Sequence, residues 1–592
     1  MITRLFDFVA KRVAEDPNGV MLAGKENGAY RTYSNKDAWD MAAKLCGGLL
    51  SLGIKNDVLE PEHQEKIALI SPNRPEWLIT DLGVQQTGAV LTPLYPTISP
   101  HDLVYVLNEA EVRIIFIANA DMYERFKDAF AQVPTLQHIY SFDDIPGVKN
   151  WKELINKNLQ PDTSIVNRIT EKTLATIIYT SGTTGNPKGV MLSHDNIVRN
   201  VLDCECEFWF AVRGGRSLSF LPLNHIFEKM VSYIYINAAV SIYYAESMDT
   251  IGENLKEVKP IVFTTVPRLL EKVYEKILAK GMEQKGIKRA LFFWALDLGF
   301  KYDNAKPGNL WYRIQLAIAN ALVFKKWREA LGNNVKAIVT GAAACQQRLI
   351  RVFTSAKIVI MEGYGLTETS PVISVNKFAS EDRRVGTIGP VVQNVQVKLG
   401  DDGEILVKGR NVMMGYYKNP QLTKEAFDAD GWFKTGDIGE WVDNHFLKIT
   451  DRKKEIFKTA GGKYVAPQVV ENKMKESPFI EQIMVIGSGR KFVSALIVPS
   501  VTNIRKYMKD HNMPAPPDSN DALVKMPEVI ELVQKQIDKF NPLFSHPEQI
   551  KKFALLPNEW TIDGGEMTPT IKLKRKVIEQ KYANVIEGIY GE

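Results

Sequence analysis

Between Tyr179 and Val190 the chain reads Tyr-Thr-Ser-Gly-Thr-Thr-Gly-Asn-Pro-Lys-Gly-Val, a concentration of small, hydroxyl-bearing and cationic residues suited to holding an anion. Gly182, Gly185 and Gly189 let the backbone turn and bring N–H groups close to phosphate oxygens. Ser181, Thr183 and Thr184 add hydroxyl donors, and Lys188 adds a fixed positive charge. The loop suits a polyphosphate. It is not the common nucleotide loop, which ends in Gly-Lys-Ser/Thr, because Lys188 lies between Pro187 and Gly189. A plain surface turn would share this composition, but the apolar run Leu174 to Ile178 places a strand directly before it.

Two later strings could complete a nucleotide site. Val335 to Thr340 reads as a strand running into Gly341, Ala342 and Ala343, small residues that leave room for a flat purine. Lys357 to Met361 reads as another strand, whose end presents Gly363, Tyr364, Gly365, Thr367 and Glu368. A ring at Tyr364 can stack on the base and a hydroxyl at Thr367 can reach a phosphate. The Glu368 carboxylate can give an oxygen to Mg2+, which favours carboxylate and phosphate oxygens together. His225 follows the apolar strand Ser217 to Leu221, a position that serves either a structural or a site histidine.

The elements that must carry these residues alternate. Ser34 caps a helix through Leu50, Lys66 to Ile70 is a strand and Glu76 to Thr87 a helix, and strands follow at Gly88 to Leu94 and Val112 to Ile117. This alternation predicts an α/β fold with parallel-rich sheets covered by helices. At 592 residues the chain exceeds one core and predicts at least two domains. Charge is nearly balanced, 74 basic against 69 acidic residues, which gives no argument for nucleic acid. Four scattered cysteines exclude a disulfide framework and favour a reducing, cytoplasmic compartment. The N-terminal residues alternate at helical spacing without a signal-peptide core, and Val231 to Ala245, the most apolar stretch, is too short to span a bilayer.

Taken together, the Tyr179 to Val190 loop and the Gly363 to Thr369 string resemble the two nucleotide motifs of the adenylate-forming superfamily. Leu221-Pro222-Leu223-Asn224-His225-Ile226-Phe227-Glu228-Lys229 resembles the acyl-substrate segment of its long-chain acyl-CoA synthetases. The resemblance implies a β-barrel-like subdomain beside the sheets, in an N-terminal domain of residues 1–450. It also implies a hinge at 451–456 and a small, mobile α+β lid at 457–592. It assigns the ribose hydroxyls to Asp437 and Arg452, and the coenzyme A tunnel to the loop of Gly461, Gly462 and Lys463. Lys572, in a Thr-Ile-Lys string typical of long-chain members, takes the role of catalytic lysine, with Lys574 close by. Thr184 and Glu368 become the Mg2+ residues, and His225 an acyl-site residue. An aromatic gate after His225 is common in relatives, and Phe227 and Tyr233 are the candidates here.

The activity so implied is ATP-dependent activation of a long-chain fatty acid to acyl-AMP and pyrophosphate, followed by transfer to coenzyme A. A fatty acyl-AMP ligase serving a carrier protein is the alternative. An acyl-binding or uptake protein is a third reading, against which the full set of Thr184, Glu368, Asp437, Arg452 and Lys572 argues. A helical insertion at about 271–331 mixes Phe292, Phe293, Trp294, Phe300, Trp311, Tyr312, Phe324 and Trp327 with Lys301, Lys306, Arg313, Lys325, Lys326 and Arg328. This mixture fits packing against the main body, the walls of a substrate channel, or peripheral contact with the inner face of a membrane.

Overall fold

The structure is a computed structural model of residues 1–592. It describes all of them except 1, 55–56, 162, 181–185, 307, 454, 512, 563, 569–572 and 592, and the side chain of Cys206. The chain divides into two units. The first comprises Met1–Lys398, Leu406–Lys434 and Val442–Leu447; the second comprises Leu399–Ile405, Thr435–Trp441 and Lys448–Glu592.

Two eight-stranded sheets build the first unit. One runs in the order Gly415–Tyr416, Lys188–Ser193, Leu174–Thr180, Val90–Leu94, Lys66–Ile70, Ile114–Ile117, His138–Ser141 and Lys149–Asn150. Its centre is parallel, and the strands Lys66–Ile70, Val90–Leu94 and Ile114–Ile117 are buried along their whole length. That burial explains why they read as near-continuous apolar runs in place of alternating ones. The other sheet runs Val372–Val375, Val359–Gly365, Ala337–Thr340, Val262–Thr265, Arg216–Ser219, Ser241–Tyr244, Val20–Glu26 and Ala29–Ser34.

Local signals set the helices. Ser34 accepts a hydrogen bond from Asp37 N while Asp37 answers the Ser34 backbone, opening Asn35–Leu50 with a reciprocal cap. Pro75 starts the helix Pro75–Thr87, and left-handed Gly88 ends it. The apolar stretch after Val231 lies in the twelve-residue helix Ile226–Asn237, buried nearly throughout, followed by the strand Ser241–Tyr244. Among the described residues no helix is long and apolar enough to cross a membrane.

The insertion folds as Pro267–Met282, Gly286–Phe300, Leu310–Ala319, a π-helical turn Asn320–Phe324 and Lys325–Ala330. Phe292, Phe324 and Trp327 enter a core shared with the strands Val262–Thr265 and Ala337–Thr340, so part of the aromatic content is ordinary packing.

A four-stranded half-barrel sheet, in the order Gln396–Leu399, Glu404–Lys408, Phe433–Val442 and Phe446–Arg452, supplies residues to both units. The rest of the second unit is α+β. The strands Ile480–Ile486 and Val493–Pro499 pair antiparallel, and Val493–Pro499 pairs parallel with Ile550–Leu555. Helices that include Pro467–Met474 and Pro527–Phe540 pack on this sheet.

Candidate active site

In the first unit the candidate residues gather at strand ends. Leu174–Thr180 is followed by an antiparallel strand, Lys188–Ser193, with Thr180 opposite Lys188. The phosphate-loop string therefore joins two paired strands, of which the sequence reading placed only the first. Lys188 starts the second strand, half-buried. The helix His194–Glu205 follows, with Ser193 and Asn196 capping each other's backbone N–H at 3.2 and 2.8 Å. Ser181, Gly182, Thr183, Thr184 and Gly185 lie outside the described residues.

The strands Ala337–Thr340 and Val359–Gly365 are parallel neighbours with Thr340 opposite Glu362. This register brings Gly341 beside Gly363. A Cβ on Gly341 would stand 3.3 Å from Gly363 O and 3.7 Å from the Phe227 ring. The two small-residue strings and the segment after His225 thus meet at one place. Ala342, half-buried, has a left-handed backbone at φ 67°, and Ala343 is exposed.

Beneath this surface Glu362 is buried and accepts from Cys345 N at 2.7 Å, fixing the end of the Gly341–Cys345 loop. Burial pushes the Glu362 carboxyl up to about 7.

Tyr364 pairs with Ser374 on the edge strand Val372–Val375, and the chain then turns sharply. Gly365 is obligatory there, since a Cβ would fall 1.7 Å from Pro371 O. Thr367, Glu368 and Thr369 form a single 3-10 turn with Thr367 buried and Glu368 half-buried. Asn411 Nδ2 donates to Thr369 O at 2.9 Å and Met413 N donates to Glu368 O at 2.8 Å, so a distant segment clamps the turn.

That segment also supplies a residue the sequence reading did not single out. Tyr416 pairs with Val190 in the strand next to Lys188–Ser193. Its hydroxyl donates to Glu368 Oε1 at 2.9 Å, and Lys188 Nζ lies 5.7 Å from its ring centroid. Tyr416 therefore joins the loop lysine to the acidic turn. Burial and the neighbouring Glu368 charge push its phenol well above the ordinary range, so it stays a hydrogen-bond donor. No spacing rule links position 416 to 368; only the pairing of Gly415–Tyr416 with Lys188–Ser193 does.

His225 caps the helix Ile226–Asn237, its Nδ1 accepting from Phe227 N at 3.2 Å, and is half-buried. That acceptor role requires the Nδ1-unprotonated ring. The two gate candidates separate. Phe227 is half-buried against Gly341, whereas Tyr233 is buried, donating to Asp81 at 2.8 Å and accepting from Gln85 at 2.9 Å. Lys229 is buried too, 2.6 Å from Asp81 Oδ1, so the charged end of the Phe-Glu-Lys string is structural. A small apolar cavity lies deeper in this unit, lined by residues that include Ile251, Leu255, Phe263, Leu269, Leu270 and Val273.

The second unit brings its own candidates together. Asp437 is buried and Arg452 Nε lies 3.2 Å from its Oδ1. Both lie on paired strands of the half-barrel sheet, which accounts for their meeting. Asp451, beside them, is buried, and desolvation raises its carboxyl to about 7.

Gly461, Gly462 and Lys463 form the exposed tip of a hairpin between Phe457–Lys458 and Tyr464–Val465, closed by Thr459 N donating to Lys463 O at 3.0 Å. Lys572 lies outside the described residues. Nearby, Arg575 donates to Glu471 Oε1 at 2.7 Å and to Val485 O, which makes it a structural cation. Among the described residues no cluster of three or more His, Cys, Asp or Glu side chains forms a metal cage. Glu368 as a single carboxylate suits a cation that takes most of its oxygens from phosphate and water.

Two eight-stranded sheets with small-residue strand ends in the first unit, and an α+β second unit, define a two-unit α/β protein. The chain belongs to the AMP-binding enzyme family, whose model matches residues 9–417, with the AMP-binding enzyme C-terminal domain matching 455–592. It is 34% identical over 587 residues to the long-chain-fatty-acid CoA ligase FadD15 of Mycobacterium bovis, covering 98% of this chain and 95% of that one. It is 30% identical over 634 residues to the human long-chain-fatty-acid CoA ligase 1, covering 100% of this chain and 87% of that protein.

Among solved structures, the adenylation domain of a carboxylate reductase from Mycobacterium chelonae matches with a TM-score of 0.78 at 20% identity, over 100% of this chain and 91% of that one. A fatty acyl CoA synthetase of Mycobacterium tuberculosis matches with a TM-score of 0.64 at 18% identity, over 98% of this chain and 99% of that one. These two likenesses are of fold.

Proposed function

We propose that this chain is a long-chain fatty acid:CoA ligase that forms acyl-AMP and pyrophosphate from a fatty acid and ATP, then acyl-CoA and AMP. The observation that carries the reading is the joining of Lys188, Tyr416 and Glu368 beside the Gly341 and Gly363 strand ends, in a chain similar over nearly its whole length to enzymes of that name.

A fatty carboxylate is already ionised at neutral pH, so the first step needs no general base. It needs relief from repulsion as one anion attacks another. Lys188 and the 181–185 loop hold the polyphosphate and the departing pyrophosphate, and Gly341 to Ala343 with Tyr364 receive the adenine. Thr367 meets the α-phosphate, and Asp437 with Arg452 the ribose. Lys572 bridges the carboxylate and the α-phosphate. Thr184 and Glu368 are the residues to hold Mg2+, which supplies further neutralisation of phosphate charge when bound. His225 and Phe227 border the acyl entrance.

The domain organisation follows: residues 1–450 bind nucleotide and acid, 451–456 act as a hinge and 457–592 as a lid. Rotation at the hinge withdraws Lys572 after the first step and brings the Gly461, Gly462 and Lys463 tip to coenzyme A.

The test is an assay of purified protein with palmitate and shorter acids, ATP and Mg2+, following pyrophosphate and thioester with and without coenzyme A. Thioester that requires coenzyme A and is formed best with long acids supports the reading. Pyrophosphate and acyl-AMP without thioester would transfer the assignment to a ligase that charges a carrier protein.

A further inference from the structure

Asn73 sits in the loop between the strand Lys66–Ile70 and the helix Pro75–Thr87, and belongs to none of the nucleotide or acyl strings. Its half-buried side-chain amide reaches across to the other sheet. Nδ2 donates to Leu221 O at 2.6 Å and to Ser219 Oγ at 3.0 Å, while Oδ1 accepts from Leu223 N at 3.0 Å. Both donors and the acceptor of the amide are engaged, which fixes its orientation.

The turn held in this way leads directly to His225. It leaves the strand Arg216–Ser219 as Phe220-Leu221-Pro222-Leu223-Asn224, and Pro222 has no N–H to give. Pro222 O accepts from His225 N at 3.0 Å. Leu221 O and Leu223 N are left to find partners outside the turn, at residues that are both buried. One primary amide answers both, because it carries a donor and an acceptor side by side; an ionised carboxylate has no donor. Beyond His225 the helix Ile226–Asn237 is anchored separately, by Glu228 accepting from Thr264 and by Lys229 and Tyr233 against Asp81. His225 and Phe227 therefore stand between a fixed helix and a turn fixed by Asn73, with the Phe227 ring close to Gly341.

We infer that Asn73 is a positioning residue of the acyl site: by holding the Leu221–Leu223 turn it sets where His225 and Phe227 stand against the Gly341 strand end, and so how tightly the fatty acid is received. The inference rests on the reading of His225 and Phe227 as the border of the acyl entrance. Removing the amide leaves two buried backbone groups without partners, and the turn must shift to reach water. Misplacement by about 1 Å near a reacting group can lower rates about 100-fold; here the bond from His225 N to Pro222 O survives, so an effect of about ten-fold is expected. Asn73 touches none of Lys188, Tyr364 or Glu368, so nucleotide binding should be spared.

The test compares wild type with Asn73→Ala, which removes both functions, and Asn73→Asp, which keeps an acceptor for Leu223 N and loses the donor to Leu221 O. Palmitate affinity is measured by equilibrium dialysis with AMP present, and KM for palmitate and for ATP in the thioester assay. Palmitate Kd and KM should rise about ten-fold in Asn73→Ala and at least about three-fold in Asn73→Asp, with KM for ATP within about two-fold of wild type. Partial unfolding cannot imitate this split, since it lowers the amount of active enzyme, and so kcat, without moving KM. In a His225→Ala background, Asn73→Ala should raise palmitate Kd by about three-fold or less, because the side chain it positions is gone.

The inference is overturned if palmitate Kd stays close to wild type in both variants, if KM for ATP rises as much as KM for palmitate, or if the effects of Asn73→Ala and His225→Ala simply multiply. It is also overturned if neither variant accumulates as folded protein, which would make Asn73 a folding residue. Dialysis needs no turnover. Wild type that binds palmitate and makes no thioester fails the proposed reaction alone, variants that bind like an active wild type fail only this inference, and wild type that binds no palmitate overturns both.

Discussion

Replacing Tyr416 by Phe removes one hydroxyl from the candidate active site and leaves the ring near Lys188. The hydroxyl donates to Glu368 Oε1 at 2.9 Å, and the ring centroid lies 5.7 Å from Lys188 Nζ. A hydrogen bond to a charged acceptor is worth about 1.5–3 kcal/mol. Glu368 and Tyr416 are half-buried, so water partly replaces the lost donor and the lower end, about 1.5 kcal/mol, applies. A loss of that size in holding the carboxylate for the transition state lowers kcat/KM about ten-fold.

The assay is the initial rate of pyrophosphate release with saturating acid, at varied ATP and at several Mg2+ concentrations. Tyr416→Phe should reduce kcat/KM for ATP about ten-fold and raise the Mg2+ needed for half-maximal rate, with little change in thermal midpoint. Tyr416→Leu, which also removes the ring from Lys188, should lose a further few-fold, as expected for a partly solvated cation–π contact of about 0.5–1 kcal/mol. A Tyr416→Phe enzyme within two-fold of wild type at every Mg2+ concentration would refute the argument that this hydroxyl orients Glu368.

Two predictions concern the buried charges behind the site. Lys229→Met leaves Asp81 buried without its 2.6 Å cation, so unfolding stability in denaturant should fall by about 3–5 kcal/mol; a fall below 1 kcal/mol would refute the view that this pair matters to the fold. Glu228, accepting from Thr264 and buried, is raised by desolvation from 4.5 to about 7. Between those values the folded state holds a proton that the unfolded state has released, so stability is full below about 4.5 and is lost as pH rises towards 7. Glu362, shifted in the same direction, adds to the slope. Glu228→Gln should therefore lessen the fall in thermal midpoint between pH 5 and 7, and identical slopes for variant and wild type would sink this assignment.

Much of the scaffold is legible along the chain because it obeys local rules. Ser34 with Asp37, Pro75 with Gly88, and the apolar runs at Ile67 to Ile70 and Ile114 to Ile117 each act within a few residues. The motif strings are local in the same sense, since anion-holding glycines and hydroxyls must be contiguous to act together. Gly365 is required by a Pro371 carbonyl only six residues on.

The tertiary structure decided what depends on distant segments meeting. Strand pairing turned Lys188–Ser193 into the neighbour of Gly415–Tyr416 and so delivered Tyr416 to Glu368. Sheet register set Gly341 beside Gly363, and the half-barrel pairing set Arg452 beside Asp437. Composition alone gave the insertion an amphipathic mixture. Burial sorted it, sending Phe324 and Trp327 into the core and leaving Leu310 and Trp311 outside. A residue's type fixes what it can do, and the neighbours that fix what it does come from parts of the chain that no spacing rule connects.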